Sequence, residues 1–277
     1  MKKRKWIIFG CVIGILVILA GVFTSMFNLQ HINVEVLKNP EIISKYGENI
    51  NNGIIESGKF NYGSNTLFTS YDENKDKIEK AYPFVKVEKM VRRFPDKMTI
   101  YITGRMPEVI VKDEEKINTY YVLDIDMKVL AVLSSASDFN NDLYRDLPIL
   151  RGSYITNIES GDFVKLEKDK KVITSILDGI YAKDQTKSSV MSDISIDLER
   201  ERYSITLKDA NVSGATIEIN GEKNLKEKVF AAYSIYKSVE NDSKYPDKNK
   251  MVFIVGSDFS LDNVQSKVVM KYDGVEV

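Results

Sequence analysis

Hydrophobic positions follow three regimes along the chain. From Trp6 to Phe27 there are 22 residues without a charge, richest in Ile, Leu and Val between Ile7 and Phe23. At about 1.5 Å rise per residue such a run matches the ~30 Å hydrocarbon core of a bilayer. It is also longer than the ~7–15 apolar residues of a signal peptide, and Thr24-Ser25-Met26-Phe27 offers no small-x-small cleavage site. The pattern predicts a transmembrane helix over residues 6–27. Lys2, Lys3, Arg4 and Lys5 precede it as a basic tail, residues 1–5, which predicts a cytoplasmic N-terminus with all that follows extracytoplasmic. Trp6, the only tryptophan, stands where its amphipathic ring suits the headgroup level, so Trp6 and the four basic residues are the expected membrane anchor.

In the second regime, His31-Ile32-Asn33-Val34-Glu35-Val36 alternates polar and apolar as a half-buried strand does. Residues 48–57 suit a short helix, residues 58–64 a turn. Residues 72–82 suit a second helix with Ile78 and Ala81 inward, Lys and Glu outward, and Pro83 as its stop. Strands over 85–91 and 98–103 follow, separated by the turn signal Arg92-Arg93-Phe94-Pro95-Asp96-Lys97. The predicted order is β-α-α-β-β.

After Pro107 the apolar runs shorten. Strands are predicted over 109–111, 120–123 and 129–133, with Asp124-Ile125-Asp126 at the turn between the last two. Apolar residues spaced by three and four mark an amphipathic helix from Lys165 to Ala182 and another from Leu225 to Val239. Strands over 194–198, 203–207, 215–219, 251–255 and 267–272 complete a mixed sheet with two covering helices. The expected fold class is α+β.

Composition sharpens this picture. With 43% hydrophobic residues and only six prolines, the chain can bury a core. Its net charge is −1, and setting aside the four positive charges of the tail leaves −5, a mildly acidic remainder that argues against nucleic acid. One histidine and one cysteine leave a Ser/His/Asp site dependent on His31, deny a zinc site its ligands, and rule out an internal disulfide.

Three candidate chemistries remain. Asp124 and Asp126 could form an Asp-x-Asp pair holding a divalent ion against phosphates, or simply a hairpin turn. His31, at the start of the first strand, is read as a surface residue rather than a ligand. Arg92 and Arg93 suit lipid headgroups or partner carboxylates, or a solvated turn flank.

Several segments in order carry a family likeness: Gly63-Ser64-Asn65-Thr66-Leu67-Phe68, Pro83-Phe84-Val85, Arg93-Phe94-Pro95-Asp96-Lys97-Met98-Thr99-Ile100, and Arg105-Met106-Pro107. Tyr121-Val122-Leu123-Asp124-Ile125-Asp126, Leu147-Pro148-Ile149-Leu150-Arg151-Gly152 and Asn224-Leu225-Lys226-Glu227-Lys228 follow. Together they resemble the FtsQ/DivIB family of bacterial division proteins. The chain departs from that pattern at Gly104, where the family has Glu, and at residues 39–47, which form a short insertion. The resemblance implies a POTRA domain over 28–104 and a β-domain over 105–277. It further implies a non-enzymatic scaffold without a cofactor, joining FtsB/DivIC-like and FtsL-like partners to help control septal peptidoglycan synthesis. Val268-Val269-Met270-Lys271-Tyr272-Asp273-Gly274-Val275-Glu276-Val277 resembles the family's partner-binding edge, which implies roles for Lys271, Gly274 and Val275, with Tyr272 as the anchor. The alternative from the residues alone is a membrane-anchored cell-wall or glycan enzyme using Asp124 and Asp126.

Overall fold

A computed structural model describes residues 12–19, 21–22, 26, 28–45, 47, 49–64, 71–113, 115–152, 158–164, 167–184, 187–209, 212–260 and 268–277. The fold is mixed and mostly sheet, and the chain divides into two compact units, Met1–Met106 and Pro107–Val277.

The expected membrane span is corrected at once. Of residues 6–27, those described (12–19, 21, 22 and 26) are helical. Among the described residues no helix is long and apolar enough to cross a membrane. This overturns the transmembrane helix in the expected fold class, and with it the single-pass location with a cytoplasmic N-terminus. Lys2, Lys3, Arg4, Lys5 and Trp6 lie outside the described residues.

In the first unit the strands are β1 (His31–Lys38), β2 (Val85–Arg93) and β3 (Lys97–Gly104). They form a sheet of order β1-β3-β2, with β1 parallel and β2 antiparallel to β3. Three helices lie between β1 and β2: α1 (Pro40–Ser44), α2 (Ile50–Gly58) and α3 (Asp72–Ala81). Ile54 of α2 and Ile78 of α3 meet Val85, Val87, Met98, Ile100 and Ile102 in a single apolar core.

The helix α1 is absent from the pattern reading, being only five residues long, with Pro40 opening it and Ile42 and Ile43 buried. It lies directly beside Gly104 at the end of β3. The Asn39 side chain donates to the Gly104 carbonyl at 2.7 Å, and a Cβ at Gly104 would stand 2.6 Å from the Asn39 carbonyl. No larger side chain fits at Gly104 without displacing Asn39 and Ile42.

The polar face of α3 also differs from expectation. Ala81 is exposed and Glu79 is buried. One Glu79 carboxylate oxygen accepts the Arg105 guanidinium at 2.8 Å, and the other accepts the Val87 N–H at 2.9 Å. Arg105 is itself buried, and its N–H donates to the Phe84 carbonyl at 2.7 Å. An ion pair withdrawn from water is costly to break, because the surviving charge stays buried.

The second unit is built on a ten-stranded sheet of order β13-β12-β11-β10-β9-β8-β7-β4-β5-β6. Its first half holds β4 (Val109–Lys112), β5 (Tyr120–Leu123), β6 (Val129–Leu133) and β7 (Ile149–Arg151). The second half adds β8 (Met191–Asp197), β9 (Arg202–Asp209), β10 (Val212–Asn220), β11 (Met251–Val255), β12 (Val268–Tyr272) and β13 (Val275–Glu276). Helices α4 (Glu167–Tyr181) and α5 (Leu225–Val239) pack on each other and on one face of the sheet.

Period-two burial makes that face: Ile194 and Ile196, Tyr203 and Ile205, Ile217 and Ile219, Phe253 and Val255 all point at Val172, Ile176, Ile180 and Val229 of the helices. Each such buried aliphatic side chain stabilises by about 1.5–3 kcal/mol. Lys228 is fully buried among them, its ammonium donating to the carbonyls of Asn220 at 2.6 Å and Gly221 at 2.8 Å. This ties the first turn of α5 to the end of β10, and burial holds the ammonium below its ordinary pKa despite Glu201 and Asp258 nearby.

The strand β7 is missing from the pattern reading. It has three residues and pairs in parallel with β4 on one side and β8 on the other. Its carbonyl neighbour Pro148 accepts the Ile110 N–H at 2.9 Å, and Arg151 Nε donates to both Asp193 carboxylate oxygens at 3.0 and 2.8 Å.

Two predictions concern stability. Arg105→Ala and Glu79→Ala should each lower the unfolding free energy by about 3–5 kcal/mol. The double variant should lose less than their sum because they share one interaction; urea denaturation of the full chain measures all three. Tyr203 is buried, and burial, then Glu222 and Glu201, push its hydroxyl up to about 12 from 10.0. Its stabilising contribution is complete below the unfolded value and is lost as pH rises through the folded one. Tyr203→Phe should therefore lessen the fall in stability between pH 10 and 12, read from urea midpoints across that range.

Candidate partner-binding edge

The elements that build the C-terminal edge are β11, β12 and β13. β11 is parallel to β10 and antiparallel to β12, with Phe253 opposite Met270 and Ile254 opposite Val269. Met270 and Tyr272 pack toward the helices, together with Val268. Val269 and Lys271 therefore project from the opposite, open face of the sheet. Over β8 to β10 that open face carries Ser195, Ser204, Thr216 and Glu218; at β11 and β12 it changes to Val252, Ile254 and Val269.

Tyr272 and Val275 face each other across a two-residue loop, Asp273-Gly274. Both loop residues have positive φ, 52° and 81°, the combination of a type I′ turn, which asks for glycine or a short polar residue. A pair closed by such a turn exchanges its two main-chain hydrogen bonds, and the neighbouring contacts follow that alternation. Val277 N–H donates to the Met270 carbonyl at 3.1 Å, on the β13 side, whereas Asp273 N–H donates to the Lys250 carbonyl at 3.1 Å, on the β11 side. By alternation the N–H and C=O of Glu276 aim outward from the sheet. The corresponding groups of Val268 lie on the outer side of β12, past the end of the β13 ladder.

The structure thus brings Lys271, Tyr272, Gly274 and Val275 together on one hairpin. Val275 is 66% exposed and Gly274 is open to solvent. Lys271 stands opposite Glu276 on the open face. Tyr272 plays a different part from the one expected of a free anchor. Its ring packs at 5.2 Å on Tyr245, and its hydroxyl accepts the Asp247 N–H at 3.3 Å. It fastens the edge to the loop before β11.

Sequence reasoning missed the groups that brace this hairpin. Lys250 Nζ lies 3.3 Å from Asp247 and 3.4 Å from Asp273, and hydrogen bonds to Asp247 and Asp273 raise its pKa. The Asp-Gly dipeptide announces the turn, but no periodicity links it to residue 250.

Asp124 and Asp126 are both engaged within the chain. Asp124 is buried, and its Oδ1 accepts the N–H groups of Asp126 at 2.9 Å and Lys128 at 2.8 Å. Asp126 lies 3.5 Å from Lys170 Nζ. The two carboxylates serve a turn and an ion pair, and among the described residues no group of three or more His, Cys, Asp or Glu is placed to hold a metal ion. His31 is exposed and 4.0 Å from Asp96. Arg92 lies over the Tyr71 ring, and Arg93 donates to the Tyr101 hydroxyl at 2.8 Å. Within the second unit, Asp124 and Asp126 follow β5 near one end of the ten-stranded sheet, and the edge hairpin is at the other.

No family model and no curated protein matches the chain. The functional reading therefore stands on the residues of the edge.

Gly274→Ala tests how the hairpin is held. A side chain at φ 81° strains the turn by roughly 1–2 kcal/mol. Amide hydrogen exchange at Val277 should accelerate, while exchange in β9 and β10 and the global unfolding midpoint stay unchanged.

Proposed function

We propose that this protein is a non-enzymatic scaffold of the bacterial division machinery. Its β12–β13 edge pairs with an FtsB/DivIC-like partner, and through it an FtsL-like one, to help control septal peptidoglycan synthesis. The mechanism is binding alone and needs no cofactor. A strand laid along the edge gains affinity from main-chain hydrogen bonds and specificity from alternate side chains.

The observation that carries this reading is the way the large sheet ends. Its last ladder is two residues long, main-chain groups aim outward beyond it, and the open face turns from polar to apolar at Val252, Ile254 and Val269. An edge left in this condition is a template for another strand. The motif likeness supplies the class of partner, since the resembled edge segment is the one that hairpin forms.

The reading is tested by capturing a purified FtsB/DivIC-type protein from the same genome on the immobilised full chain. Lys271→Glu, on β12, should weaken capture about tenfold. Ile117→Lys, at an exposed loop elsewhere in the same unit, should leave it unchanged. Absence of capture by the unmodified chain, or equal loss in the two variants, overturns the proposal.

A further inference from the structure

We infer that β13 is a placeholder strand: it fills the position on β12 that a partner strand of apolar-acidic-apolar pattern takes, and swings out about Gly274 when that partner binds. The inference rests on the strand-pairing reading above and adds how the site is reached and what it selects.

The first ground is the count of main-chain groups. A strand that extends the sheet beyond β13 meets only the outward N–H and C=O of Glu276. A strand that replaces β13 meets those of Val268, Met270 and Tyr272, the full length of β12. Strand addition draws its affinity from such ladders, so replacement is the stronger arrangement.

The second ground is how little holds β13. Residues 273–277 are all exposed, Val275 by 66% and Val277 by 61%. Among the described residues its attachment is two ladder pairs and the Val277 hydrogen bond to Met270. Segments with few buried contacts open locally at small cost.

The third ground is the hinge. Asp273 is fixed to Lys250 through its N–H and its carboxylate, which pins the near side of the turn. Gly274, with nothing within 4 Å of where a Cβ would be, is unpinned. The joint lies between the two, so β13 can leave while β12 stays in place.

The sequence of β13 then describes its competitor. Val275 and Val277 lie on the helix side with Tyr272 and Met270, and Glu276 lies on the open face opposite Lys271. A partner strand in the same register presents apolar side chains to Val268, Met270 and Tyr272 and an acid to Lys271.

The test uses the full chain with a fluorescein-labelled, acetylated nonapeptide, Thr-Val-Glu-Val-Glu-Val-Glu-Val-Thr, as the probe, with binding read by anisotropy. A second form ends at Asp273. A third carries Lys271→Cys and Glu276→Cys with Cys11→Ser, so that oxidation staples β13 to β12 across a non-hydrogen-bonded pair. The form ending at Asp273 should bind about tenfold tighter than the full chain, the weight of roughly one net hydrogen bond. The stapled form should lose binding when oxidised and regain it on reduction, and a peptide with Lys for each Glu should bind the full chain several-fold more weakly. Equal binding by oxidised and reduced forms, or loss on truncation, means that the peptide extends from β13 and overturns the inference alone. Failure of both the truncated and the reduced forms to bind overturns the pairing reading itself. Should circular dichroism show the truncated form unfolded, the oxidised-against-reduced comparison decides.

Discussion

Three residues join the two halves of the ten-stranded sheet. Ile149, Leu150 and Arg151 pair in parallel with β4 on one side and β8 on the other, with Leu150 buried in the core that both halves share. Gly152 closes this seam. A side chain there would stand 2.0 Å from the Ile196 carbonyl, and its φ is 90°, so the chain leaves β7 by a path that only glycine follows. The Arg151 fork on Asp193 fixes the register at the same point. Without the seam, Val109, Tyr121 and Val129 of the first half would not share a core with Ile176, Ile205 and Phe253 of the second.

That continuity positions the edge. From β8 outward each strand is placed by its neighbour and by the helices beneath: Lys228 ties α5 to β10, the parallel pairing of β10 sets β11, and β11 sets β12. The helix-side face of β8 to β12 is filled by this core, so the hairpin presents to solvent its open face, its outer rim and the side chains of Val275 and Val277. Chemistry at the rim is main-chain hydrogen bonding, tuned by one cation and a few apolar side chains.

Much of this was legible in the chain, and the gaps have physical causes. Alternation marked β9, β10 and β11, and the three-and-four spacing of Val172, Ile173, Ile176, Leu177 and Ile180 marked α4, because a long element repeats its pattern enough to be seen. Ile149 to Arg151 is too short to alternate, and Pro40 to Ser44 too short for a helical period. Glu79 was assigned outward because a charged residue on a polar helix face ordinarily is; its partner Arg105 lies 26 residues on, where no periodicity reaches. The span expected over 6–27 is set aside because, among the described residues, no helix is long and apolar enough to cross a membrane. At the edge, Lys271, Tyr272, Gly274 and Val275 were named only through the family likeness, and the tie of Tyr272 to Tyr245 and Asp247 depended on a loop that only folding brings close.

The parallel pairing of β10 with β11 bears on when the edge comes into being. Parallel neighbours demand a long crossover, here the whole of α5 and the loop after it, and such non-local closures are slow steps in folding. β12 and β13 pair locally across their two-residue loop, but their place at the edge of the large sheet depends on β11, and so on that crossover. The last hairpin of the chain is thus local in its own pairing and non-local in its attachment.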